Sequence, residues 1–212
     1  NTPILVTGAH RTGTTWVGKM LAASGQAAYI SEPLNVLHRP GVLRIPIRHW
    51  YTYICPENEA GYLPAFQEML DFKYHLGSEI RSLRSKKDLL RMGRDARTFW
   101  QARLSAFSAS SRQRPLLKDP FALFSIPWFI QRINCQVVVT VRHPAAFASS
   151  LKRLNWPFHF QDLLDQPLLM RDWIEPFRAE IEGLVAEEKR TASNDILAQG
   201  SLLWRIAYSV VA

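Results

Sequence analysis

The stretch ILVTGAHRTGTTW, residues 4–16, decides how the rest of the chain is read. Its apolar opening, ILVT, suits a buried strand, and Gly8 then punctuates it. Beyond Gly13, Thr14 and Thr15 open a segment where Trp16, Val17, Met20 and Leu21 recur at helical spacing, with Gly25 as the stop. A Gly-bounded turn between strand and helix lets backbone N–H groups curl around an anion at the helix N-terminus. In nucleotide-hydrolysing loops, G-x-x-x-x-G-K-[ST], a Lys reaches the phosphates and the hydroxyl holds Mg²⁺. Here Thr14 occupies the Lys position, and Arg11 supplies a cation from inside the loop. That exchange suits a 5′-phosphate carrying one more group better than a metal-bound triphosphate. The alternative is a turn that holds no ligand.

Working outward, AAYI (27–30) reads as a second strand that ends at Ser31-Glu32-Pro33, and Leu116-Leu117 as a third. QVVVTV (136–141) is the clearest strand, β-branched and apolar on both faces, as in a covered parallel sheet. Helical spacing predicts helices over 65–76, 88–108, 145–154, 168–190 and 195–211, and over 121–133 with a break at Pro127. In the second, Leu89, Met92, Ala96, Trp100, Leu104 and Phe107 form the apolar face. Residues 33–114 read as a loop-rich and helical insertion, with Pro40, Pro46, Pro56 and Pro64 as turn points, aromatic cover from HWYTY, and SASSRQRP as a linker. The pattern predicts an α/β fold, P-loop-like, with three layers: a central parallel sheet flanked by helices. Ligands of such sheets gather at the C-terminal strand ends, and segments 8–15 and 142–150 both leave strands there.

The chain's 212 residues, 47% of them hydrophobic, suit a single domain over 1–212 with a real core. Seven Trp argue against disorder. No apolar run approaches the ~18 residues of a membrane span. Cys55 and Cys135 lie far apart without metal-ligand spacing, which predicts incidental thiols, no metal and a cytoplasmic, reducing location. The net charge of +8 sets the sign of the ligand as anionic.

A second segment, VVVTVRHPAAFASS (137–150), puts Arg142 after a strand and Ser150 eight residues later on a helix. A guanidinium fork and a hydroxyl brought to one point would clamp a second phosphate.

Taken in this order, the two segments resemble the PAPS-dependent sulfotransferases. RTGTTW (11–16) is similar to their 5′-phosphosulfate loop, and VRHPAAFASSL (141–151) to their 3′-phosphate segment. The resemblance covers residues 3–32 and 114–156 and implies sulfonate transfer from 3′-phosphoadenosine 5′-phosphosulfate (PAPS), with PAP as product, to a hydroxyl or amine of a small-molecule or carbohydrate acceptor. It implies that Arg11 meets the 5′-phosphate and sulfonate, that Thr12, Gly13, Thr14 and Thr15 form the cradle, and that Trp16 stacks on adenine. Arg142 and Ser150 would take the 3′-phosphate, and Lys118 in LLKDP would neutralise charge near the sulfonate. The cytosolic branch has its catalytic His two residues after that Lys; here Pro120 stands there. The resemblance is therefore to the bacterial and carbohydrate-directed branch, and Glu32 in YISEPLN becomes the candidate base, set near Arg11. Its alternative is a structural pairing with Arg11. No Gly-rich basic segment closes the C-terminal region, so the domain reads either as a compact variant or as truncated there.

Other polar residues carry weaker expectations. His10 shapes the loop or faces solvent, and His38, His49, His75, His143 and His159 read as structural. Asp119 orients Lys118 or caps the next helix. Arg84, Lys87, Arg91 and Arg94 form a stripe that meets an acidic acceptor or, more simply, solvent. Trp50, Tyr51 and Tyr53 wall an acceptor pocket or pack the core. Two rival functions remain: a P-loop nucleotide or small-molecule kinase, disfavoured by the missing Lys, and a non-catalytic anion- or glycan-binding module. Nucleic acid is suggested by charge alone and is not expected as a partner.

Overall fold

The computed structural model describes residues 2–105, 113–191 and 195–211. Four strands, β1 (Ile4–Thr7), β2 (Ala27–Ser31), β3 (Arg114–Lys118) and β4 (Gln136–Val139), form one sheet in the order β2-β3-β1-β4. Every pairing is parallel, with Ile4 opposite both Leu116 and Gln136, and Ala27 opposite Arg114. The α/β architecture expected from the sequence is present.

Helix α1 (Thr14–Ala22) covers one face, where Val6, Leu116 and Ala27 are buried with Val17 and Tyr29 packed on them. The opposite face carries the larger core: Leu5, Ala28, Ile30 and Leu117 are buried with the aromatic side chains of the helices that follow. The two-residue strand period sorts the side chains between these faces. Lys118 lies on the α1 face, two residues on from Leu116.

The insertion runs as turns to α2 (Tyr62–Leu70), α3 (Leu76–Arg81) and α4 (Lys86–Ser105). The single helix expected over 65–76 is two, because Phe72 takes a left-handed φ of 55° just after α2 ends. The helix expected to run to residue 108 is described to Ser105; Phe107 lies outside the described residues, as does the start of the SASSRQRP linker, whose Arg114-Pro115 already belong to β3. A 3₁₀ turn over Pro120–Ser125 leads into α5 (Ile126–Ile133), with Pro127 in the first helical turn, where its missing N–H costs nothing.

Helix α6 (Pro144–Arg153) leaves β4, and two short turns, α7 (Gln161–Leu164) and α8 (Pro167–Leu169), follow. The helical segment expected over 168–190 is helical throughout among its described residues but changes type along its length. A π turn at Met170–Ile174 and a 3₁₀ turn at Glu175–Phe177 precede α9 (Arg178–Thr191). Pro176 falls in the 3₁₀ turn, where its missing N–H and its crowding of the preceding turn go with the change of helix type. Helix α10 (Ile196–Ser209) packs along α6, with Gly200 close against Ala148.

β4 differs from its sequence reading. It is an edge strand four residues long, and Val138 remains 38% exposed. The fully covered strands are β1 and β3, at the centre of the order. An apolar run signals a strand but not its neighbours.

Gly8 marks the tightest point of the sheet edge. At φ 138°, a Cβ there would lie 2.4 Å from the Thr140 carbonyl oxygen. Gly8→Ala is therefore expected to cost at least ~2 kcal/mol, read as a lower urea midpoint. Gly93→Ala, in open space within α4, should instead raise stability by ~0.5–1 kcal/mol. Equal midpoints for the two variants would contradict this packing.

Candidate functional site

The site grows from the C-terminal ends of β1, β3 and β4. After Thr7 the chain turns through Gly8, then Arg11 at φ 68° and Gly13 at φ 99°, and enters α1. Thr12 ties the turn together: its hydroxyl donates to the Ala9 carbonyl at 2.6 Å and lies 2.8 Å from Thr140 Oγ1. Gly13 is the N-cap of α1 and supplies no side-chain cap. The first N–H groups of a helix have no partner within the helix, so this end favours an anion. Thr14 is buried, Thr15 is exposed, and Trp16 is 70% exposed on the first turn of α1.

The second segment meets the first. Arg142 Nη1 donates to the Arg11 carbonyl at 3.0 Å, while the Arg142 carbonyl accepts from Trp204 Nε1 at 2.7 Å. Parallel pairing of β1 with β4 makes this contact possible, because both strands end on the same side. The segment's other candidate, Ser150, is buried in α6, and its Oγ has no hydrogen-bond partner among the described residues. Thr7 Oγ1, at the root of the loop, is unpartnered in the same way. Buried hydroxyls normally find partners, so Thr7 Oγ1 at the root of the loop and Ser150 Oγ within α6 are exceptions among the described residues.

Lys118 and Glu32 form an ion pair between Nζ and Oε1. Lys118 is only 2% exposed, so its ammonium depends on this carboxylate. The other Glu32 oxygen accepts from Asn35 Nδ2 at 2.8 Å, and Glu32 N–H donates to the Lys118 carbonyl at 2.7 Å. Glu32 adopts φ 51°, a left-handed conformation that a Glu holds only under constraint. The sequence reading set Glu32 beside Arg11; the ion pair it makes is with Lys118 instead. The sheet explains the choice, since Ser31 is paired with Lys118 across β2 and β3.

Asp119 does not bond to Lys118. Its carboxylate caps the 3₁₀ turn through Phe121 N at 2.9 Å and holds Leu34 N at 2.5 Å. Complete burial raises its carboxyl to about 7, against the opposing pull of those two N–H donors.

Two cavities flank these groups. A polar one of about 360 Å³ is lined by Glu32, Asn35, Arg39, Arg91, Arg94 and Asp95 among others. The basic stripe thus contributes Arg91 and Arg94 to the cavity that holds Glu32. Arg39 is committed elsewhere, to the buried Glu79 and to Asp88 at 2.8 Å, which fastens α3 and α4 to the cavity rim. A smaller aromatic cavity of about 210 Å³ is lined by His10, Trp50, Phe121, Trp156 and Phe158.

Tyr208 gave no signal in the sequence, and Tyr51, marked there as pocket wall or core, gave none of its contact with the loop. Tyr208, on α10, donates to the Thr140 carbonyl at 2.8 Å and accepts from Ala9 N at 3.3 Å. Tyr51 accepts from His10 N at 3.1 Å and lies 2.8 Å from His10 Nδ1. Both reach the loop across long sequence separations, which no local pattern encodes. His10 is buried, not solvent-facing, and of the HWYTY aromatics Trp50 lines the cavity while Tyr51 is fully buried.

The family model described as "Sulfotransferase family" matches residues 3–198. The chain belongs to the sulfotransferase family. No curated protein and no solved structure matches it. The match spans the Gly-bounded loop, the Arg142 segment, the Lys118–Glu32 pair and the residues that line the two cavities. Among the described residues, no helix is long and apolar enough to cross a membrane, and no cluster of His, Cys, Asp or Glu could hold a metal ion. Cys55 and Cys135 are both free and buried.

Burial, then the Arg11 charge, lowers the His10 pKa from 6.5 to about 4. The unfolded chain therefore takes this proton first. The stabilisation is complete above about pH 6.5 and is lost as pH falls towards 4. Relative to His10→Phe, the wild type is expected to lose stability on the order of 3 kcal/mol across that window, followed by urea unfolding at each pH. A constant difference between the two proteins would contradict the buried, neutral imidazole.

Proposed function

We propose that this chain transfers a sulfonate from PAPS to a hydroxyl or amine of a small-molecule or carbohydrate acceptor. The observation that carries the reading is the bond from Arg142 to the Arg11 carbonyl, which joins two anion-binding segments into one surface. A donor with phosphates at both 3′ and 5′ positions needs such a pair. Ser150 supports the same reading, because its orphaned hydroxyl is satisfied once a 3′-phosphate oxygen reaches it. Arg11, Thr12, Gly13, Thr14 and Thr15 would hold the 5′-phosphosulfate at the N-terminus of α1, with the exposed Trp16 free to stack on adenine.

PAPS supplies an activated sulfonate on a phosphate leaving group. Glu32 takes the acceptor's proton as its oxygen or nitrogen forms a bond to sulfur and the sulfur–oxygen bond to the 5′-phosphate breaks, leaving PAP. Both carboxylate oxygens of Glu32 have partners, yet each keeps a second lone pair for the acceptor. Lys118 and Arg11 stabilise the charge that builds on the leaving phosphate and the equatorial oxygens. The polar cavity beside Glu32 suits a hydroxylated acceptor, since its carboxylate, amide and guanidinium groups can all bond to hydroxyls. No step calls for a metal.

Glu32→Gln is expected to lower the transfer of ³⁵S from labelled PAPS by ~10²–10⁴-fold per folded chain, across a panel of monosaccharides, amino sugars and phenols, and also to lower the melting temperature, because Lys118 loses its carboxylate. Full activity in this variant would remove Glu32 from the role of base. Ser150→Ala should weaken PAP by ~10-fold or more and leave AMP unaffected. Thermal stability without ligand should hold, because the hydroxyl gives up no protein partner. Equal losses for PAP and AMP would contradict a 3′-phosphate at Ser150.

A further inference from the structure

Helix α4 turns an apolar stripe towards solvent. Leu89, Trp100 and Leu104, read from the sequence as part of its apolar face, are 50 to 68% exposed, and Leu90 is 77% exposed. At 3.6 residues per turn these four fall within roughly 100° around the axis and along ~22 Å of helix. Gly93 lies in the middle of the stripe, and a Cβ there would meet nothing within 4 Å. The helix is held by its other side. There Phe99 and Ala102 are buried, and the Phe99 ring meets those of Phe72 and Tyr74 at 6.1 and 5.5 Å. Four large side chains grouped on one outward face mark a contact surface, unlike the single exposed residues scattered over most proteins.

The charge on α4 says what that surface meets. Lys86, Lys87, Arg91, Arg94, Arg97 and Arg103 are all exposed, against two carboxylates, Asp88 and Asp95. Both carboxylates are half-buried and engaged, Asp88 with Arg39 at 2.8 Å and Asp95 with Arg94 at 3.3 Å. Lys86, Lys87, Arg97 and Arg103 have no ion-pair partner among the described residues. Around the axis, Lys86 and Arg97 fall within the stripe, and Lys87, Arg94 and Arg103 border it. A second copy of this chain is a poor occupant, because a two-fold contact sets these six cations against six more. Nucleic acid answers the charge but leaves Leu90 and Trp100 without an apolar partner. An anionic bilayer answers both. Trp settles at its headgroup level, and Lys and Arg reach its phosphates.

We propose that α4 docks this chain on an anionic lipid surface, lying in the plane of the interface with Leu89, Leu90, Trp100 and Leu104 set among the headgroups. The helix lies on the membrane and does not span it, since its charges forbid insertion. Docking uses neither PAPS nor Glu32, so it stands independently of the sulfonate-transfer reading.

Co-sedimentation of the full chain with vesicles tests this, using phosphatidylcholine alone and phosphatidylcholine with about one-quarter phosphatidylglycerol. The chain is expected to partition at least ~10-fold more strongly onto the anionic vesicles, and to lose most of that binding between about 0.05 and 0.5 M NaCl. Leu90→Gln/Trp100→Gln should lower the anionic partition ~10-fold or more, with the melting temperature kept because both side chains are exposed. Lys86→Gln/Lys87→Gln should lower it by a similar factor through charge alone. Arg91 and Arg94 are left unaltered because they also line the polar cavity. Absent binding, or equal partition onto the two vesicles, would overturn the proposal. So would an anionic partition that Leu90→Gln/Trp100→Gln retains in full, which reduces the contact to charge. Binding to duplex DNA in place of vesicles, or a dimer in solution that the same variant dissociates, would give the face to those occupants and overturn it too. A PAP-induced rise in melting temperature is read without vesicles, so failure here and failure of the donor reading are told apart.

Discussion

A buried ammonium sets the main constraint on this structure. Lys118 ends a central strand beneath α1, and its carboxylate partner Glu32 comes from the turn after the neighbouring strand. Such a cation is tolerable only with a partner close by, and removing one member of such a pair typically costs 3–5 kcal/mol. The surroundings are shaped to fit. A Cβ on Gly18 would come within 3.1 Å of Lys118 Cγ and 2.9 Å of the Tyr29 ring, so α1 lies directly on the lysine stem. Glu32 reaches the ammonium through a strained left-handed turn, pinned by Asn35 and by its own N–H.

Sheet order then does the rest of the assembly. With β1 between β3 and β4, the Gly-bounded loop has the Lys118 strand on one side and the Arg142 segment on the other. Thr140 joins loop to edge strand through Thr12 and the Thr7 carbonyl, and Tyr208 locks the junction from α10. The loop is thus held by groups from across the chain, which preorganises it before any ligand arrives.

Much of this was legible in the sequence, and the failures have physical causes. The Gly-bounded turn between β1 and α1, the strand end at Lys118 and the strand-to-helix setting of Arg142 and Ser150 are local signals, because short residue patterns mark such turns. Position in the sheet was not legible. QVVVTV reads as a strand covered on both faces and is a half-covered edge strand, because composition reports burial only on average. Pro176 was overlooked inside a helical period, and its missing N–H goes with a change of helix type there. Glu32 was found as a residue but assigned the wrong partner, since strand register decides which cation it meets. Tyr208 acts only through tertiary contacts and nothing around it in the sequence marks it out, while Tyr51 was marked as an aromatic of HWYTY but not as a partner of the loop.

The central claim is that two joined anion segments read a nucleotide carrying both a 5′ and a 3′ phosphate, without Mg²⁺. Thermal melting of the full chain with PAP, with AMP, and with ATP plus Mg²⁺ tests it most directly. A ligand at 100 times its Kd adds ~2.7 kcal/mol of stability, a readily measured rise in melting temperature. The account predicts stabilisation by PAP well beyond that by AMP, and none that depends on Mg²⁺. Stabilisation by ATP with Mg²⁺ alone, or equal shifts for PAP and AMP, would contradict it.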